Sequence, residues 1–88
     1  MIESVATLEL RKALSPFADN ESNETHLLTL RRCVLSVVEE RKAAGDLPEH
    51  IVVFVKRLAL EAGVHWSNHA FFHRVIGWTF ERYWARTR

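Results

Sequence analysis

Three histidines stand four residues apart, His65, His69 and His73, and Glu61 precedes the first by another four. On one uninterrupted helix these side chains would stack on one face, and imidazoles at i and i+4 suit a divalent transition metal. Gly63 and the capping residues Ser67 and Asn68 argue against such a helix. That leaves His69 and His73 as a helical pair, with His65 in the loop before it. The pair is one ligand short of the three a catalytic zinc usually takes. Cys33, the single cysteine, lies beside Val34 and Leu35 and reads as a core residue. A nucleophile would need a base and an orienting group, and no spacing identifies either. No Gly-rich phosphate loop, Gly-x-Ser-x-Gly elbow or His-Glu-x-x-His stretch occurs. With three glycines in the chain, the common enzyme types fit poorly, and no cofactor is expected beyond the metal that the histidines suggest.

Charge is unevenly placed. Residues 1–50 hold six basic and nine acidic side chains, residues 51–88 six basic and two acidic. The basic end culminates in Arg82-Tyr83-Trp84-Ala85-Arg86-Thr87-Arg88. There Arg82, Arg86 and Arg88 could meet phosphates while the rings stack on bases. Cations also favour a helix C-terminus, where the dipole is negative. A formal charge of +1 is far from the basic balance of a nucleic-acid coat. The acidic half is, besides, a ready partner for the basic half.

The elements that would position these residues are helices. Residues 2–15 are rich in helix formers, and Pro16 is expected to end that run. Phe17 is expected to fold back and seal the end. A polar loop leads to a second helix over 23–44, capped at Ser22 or Asn23 and closed by Gly45. At 100° per residue its apolar side chains cover an arc of about 220°, so it must touch neighbours on two sides. Asp46-Leu47-Pro48-Glu49 reads as a capping box opening a third helix over 47–62. The β-branched run Ile51-Val55 would suit a strand, but it has no partner strand. Ile51, Phe54, Val55, Leu58 and Ala62 form that helix's core face, while Val53 and Leu60 form a second apolar line.

The last helix, over 68–86, is the aromatic one. Phe71, Val75 and Trp78 share one face; Phe72, Ile76, Phe80 and Tyr83 share another; Arg74, Gly77 and Glu81 face solvent. Two apolar faces on a terminal helix call for more packing surface than three short helices supply.

Eighty-eight residues, 48% hydrophobic and 26% charged, make one all-α domain, a small bundle of four helices. The second and third are expected to pair antiparallel across Gly45-Asp46-Leu47. The N-terminal residues lack a signal-peptide pattern, and one free cysteine suits a reducing compartment, so the expectation is cytoplasmic, with no membrane span. The surplus apolar faces predict a non-enzymatic protein-interaction or regulatory module, homodimeric through the C-terminal aromatic helix. Its interface would include Val53, Leu60, Trp66 and Phe72, then Trp78, Phe80, Tyr83 and Trp84, with Trp and Tyr as anchors. Another protein at the same surface is the variant of that reading. The alternatives are a divalent-metal protein built on His69 and His73, and a small nucleic-acid-binding regulator using the arginine-rich end.

Overall fold

The computed structural model describes residues 3–19 and 23–85, which form four α-helices: α1 (Val5–Ala18), α2 (Glu24–Ala43), α3 (Pro48–Glu61) and α4 (His69–Tyr83). There is no strand among the described residues. The chain is an all-α bundle, and Ile51-Val55 is helical.

Local chemistry sets most of the boundaries. Three helices begin at a side-chain cap: the Ser4 hydroxyl accepts from the Thr7 amide at 3.1 Å, Asn23 Oδ1 from His26 at 2.9 Å, and Asn68 Oδ1 from Phe71 at 3.3 Å. Two helices end at glycines with positive φ, Gly45 at 94° and Gly63 at 103°. After α2 the amides of Gly45 and Asp46 return to the carbonyls of Lys42 and Arg41. After α3 those of Gly63 and Val64 return to Leu60 and Ala59, all at 3.0–3.1 Å. Both ends are Schellman motifs, whose left-handed residue glycine adopts at least cost.

That geometry corrects the reading of Asp46 as a cap. Its amide closes α2, and its carboxylate lies 2.6 Å from Arg41 Nε. The N-cap of α3 is Leu47, which makes no side-chain capping bond, and Pro48 in the first turn supplies the preset φ.

A second correction concerns Pro16, which lies inside α1 rather than after it. Without an amide hydrogen it leaves the Lys12 carbonyl without its helical partner. The defect falls near the end of the helix, and the continuing turn carries Phe17 to within 5.3 Å of the Phe71 ring, centroid to centroid. Aromatic contact offsets the lost bond.

The core is drawn from every helix. Leu10 and Leu14 come from α1, Leu30, Val34, Val37 and Val38 from α2, Ile51, Val55 and Leu58 from α3, and Phe71, Phe72 and Val75 from α4. Each fully buried Leu, Val or Ile contributes about 1.5–3 kcal/mol of hydrophobic stabilisation. The broad apolar arc of α2 is explained by its position, since it packs chiefly against α1 on one side and α4 on another. Its packing against α3 is slighter, so the pairing expected across the Gly45 turn is not the main contact of either helix. Thr79 is wholly buried in α4, and its hydroxyl is satisfied by the Val75 carbonyl at 3.0 Å. The Cα radius of gyration of 12.3 Å agrees with the roughly 12 Å expected of a compact chain this long. No helix among the described residues is long and apolar enough to cross a membrane.

Candidate functional site

Large apolar residues are exposed in several places, with Val5 and Leu8 on α1, Leu28 on α2 and Leu47 before α3, and the remaining five lie on α3, the segment after it and the α4 end. Val53 is 55% exposed, Leu60 47%, Trp66 69%, Phe80 39% and Trp84 68%. In a helix at 100° per residue, Val53, Lys56 and Leu60 share one side of α3. On α4 the same spacing places His69, Phe72, His73, Ile76 and Phe80 in one stripe. The two sides meet at an open hollow of about 520 Å³, lined by Lys56, Leu60, Trp66, His69, Phe72, His73 and Ile76. Phe72 is buried and joins the face to the core; the others stand around it.

Five of the eight residues expected at an interface, Val53, Leu60, Trp66, Phe72 and Phe80, fall on this face, and three do not. Trp78 lies on the opposite side of α4, half-buried and packed against the core. Tyr83 is also half-buried against the core, beneath Lys42, whose ammonium donates to the Tyr83 carbonyl at 2.8 Å and lies 5.4 Å from its ring centroid. Trp84 remains outside, edge-on to Tyr83 at 5.0 Å. Lys56 and Ile76 were not singled out as site residues by sequence. The usable signal was their register with Val53 and Leu60 on α3, and with Phe72 and Phe80 on α4.

The histidines divide as the capping residues imply. His69 and His73 line the hollow together. His65 sits in the preceding loop, its Nδ1 2.6 Å from the Ser67 hydroxyl and its ring stacked on Trp66 at 5.4 Å. Among the described residues no three His, Cys, Asp or Glu side chains are grouped to hold a metal ion. The structure does not bring His65, His69 and His73 into one ligand set.

Arg82 has a carboxylate beside it. Its Nε lies 3.5 Å from Glu39 Oε1, joining α4 to α2, and Arg31 reaches Glu81 at 3.4 Å between the same two helices. Of these two, only Arg82–Glu39 pairs a base of the basic half with an acid of the acidic half. Arg86 and Arg88 lie outside the described residues.

Cys33 is 5% exposed, at the floor of a separate hollow between α1 and α2. Burial pushes its thiol above the ordinary range, and Arg32 opposes that rise by charge and hydrogen bonding. A raised thiol is the reverse of an activated nucleophile.

Set against protein-family models, curated proteins and solved structures, the chain has no significant match in any of the three. The functional reading therefore rests on this chain's own surfaces.

Proposed function

We propose that this chain is a non-enzymatic protein-interaction module that pairs with a second copy of itself through the α3–α4 face. One observation carries the reading: Leu60, Trp66 and Ile76 surround a hollow floored by Phe72, with Val53 and Phe80 continuing the apolar line along both helices. Exposed apolar residues scattered singly need no explanation, but a contiguous patch with a polar rim marks an interaction site. Here the rim is Lys56, His69 and His73. Trp66 is the natural anchor, being large, amphipathic and mostly exposed. A formal charge of +1 sets up almost no long-range repulsion between copies. The corollary location is the cytoplasm, where Cys33 stays a thiol.

The test is mass in solution. At tens of micromolar, light scattering or sedimentation equilibrium should report about twice the 10.2 kDa chain mass. Leu60→Asp should return the chain to monomer with its helical circular dichroism unchanged, because Leu60 is outside the core. A wild-type chain that stays monomeric at several hundred micromolar would end the self-association reading.

A further inference from the structure

We propose that the hollow between α1 and α2 binds a phosphoryl group carried on a small organic ligand. It shares no residue with the α3–α4 face, so the inference stands apart from self-association.

The hollow measures about 350 Å³ and is lined by Glu9, Lys12, Ala13 and Pro16 of α1, and by His26, Thr29, Arg32 and Cys33 of α2. Two full cations and an imidazole therefore surround a space that holds a single carboxylate. Most arginines with a nearby carboxylate use it internally: Arg11 holds Glu3 and Glu61, Arg31 holds Glu81, Arg41 holds Asp46 and Arg82 holds Glu39. Among the described residues neither Arg32 nor Lys12 forms such a pair. Their charge is available to something from outside the chain.

The donors point to the class of ligand. Arg32 offers a planar fork, Lys12 a rotatable ammonium and Thr29 a hydroxyl. His26 adds an imidazole edge to the lining, while its Nδ1 is turned away from the open space. A carboxylate has two oxygens to share among these groups, whereas a phosphoryl group has three, each a strong acceptor. The volume exceeds what a bare phosphate fills, and the remaining wall is apolar, made of Ala13, Pro16 and Cys33. That combination suits a phosphate monoester with a compact apolar body. Glu9 limits the total negative charge the site accepts, which favours one phosphoryl group over a chain of them.

The experiment is a titration of the full chain followed by heteronuclear NMR, with inorganic phosphate, phenyl phosphate and acetate as probes at constant ionic strength. Phenyl phosphate should saturate the signals of Thr29, Arg32 and Cys33, and bind at least about fivefold more tightly than inorganic phosphate through its apolar ring. Acetate should leave those signals nearly unmoved. Arg32→Gln and, separately, Lys12→Gln should each weaken phenyl phosphate roughly tenfold or more, since a charge-assisted bond is lost. Both side chains are exposed, so the thermal melts should match wild type. Glu9→Gln should tighten binding about threefold by removing the like charge. Shifts that fail to saturate, acetate shifts of equal size, equal binding of phenyl and inorganic phosphate, or undiminished binding by both variants would overturn the proposal.

Discussion

The rings of Phe17 and Phe71 lie 5.3 Å apart at an interplanar angle of 50°, joining the end of α1 to the first turn of α4. Fifty-four positions separate the two residues, and the contact exists because α1 runs through Pro16. Phe17→Ala should destabilise the fold by about 2–3 kcal/mol, somewhat less than a fully buried ring, by urea denaturation. Pro16→Ala should restore a donor to the Lys12 carbonyl and stabilise by about 1 kcal/mol, raising the melting temperature by roughly 4–8 °C. A lower melting temperature for Pro16→Ala would show that the proline ring matters more than the missing bond.

Gly63 combines two constraints. Its φ is +103°, and a Cβ built there would lie 3.2 Å from the Ala18 Cβ at the end of α1. Gly63→Ala should therefore cost about 1–2 kcal/mol from backbone strain alone, with the Ala18 contact adding to it. Gly45→Ala has the same sign of φ but open space around it, so its loss should be the smaller of the two in parallel thermal melts.

Trp78 and Trp84 should separate on substitution. Trp78 packs against the core, and Trp78→Ala should cost about 2–3 kcal/mol, a large share of the stability of a domain this small. Trp84 is mostly solvated, and Trp84→Ala should change stability by no more than about 0.5 kcal/mol. If self-association extends along α4 past Phe80, Trp84→Ala should raise the dimer dissociation constant while helicity is kept. Equal unfolding by both substitutions would place the two rings in one core.

Cys33 supplies a pH-dependent readout. Its thiol loses its proton at higher pH in the folded chain than in the unfolded one, where the ordinary value is 9.0. Below that value both states hold the proton and Cys33 adds no slope. Above it the unfolded chain binds fewer protons, so stability should fall as pH rises. Cys33→Ala should flatten that part of the stability–pH curve. Alkylation at pH 8 should be much slower in the folded chain than in urea, because the native side chain is buried and protonated.

Much of the architecture was legible because it is locally encoded. Asn23 and Asn68 are caps by residue type, Gly45 and Gly63 are helix stops by conformational freedom, and the apolar spacing in α2 demanded two neighbours. Val53 and Leu60 were identifiable as an unpartnered line because they fall away from Ile51, Val55 and Leu58 on the same helix. These features depend on residues within one or two turns of each other, and periodicity reports that range.

Tertiary structure decided what depends on distant partners. Pro16 reads as a stop until Phe71 is present to reward one more turn. Asp46 reads as a cap until its amide is drawn into the end of α2. Glu39 beside Arg82 and the core beneath Trp78 are neighbours that no spacing within α4 announces. Lys12 and Arg32, twenty positions apart, share a hollow only because α1 packs on α2. Propensity and spacing describe one helix at a time. A side chain's final role depends on which other helix arrives opposite it, and that is fixed by the joint burial of all four apolar faces.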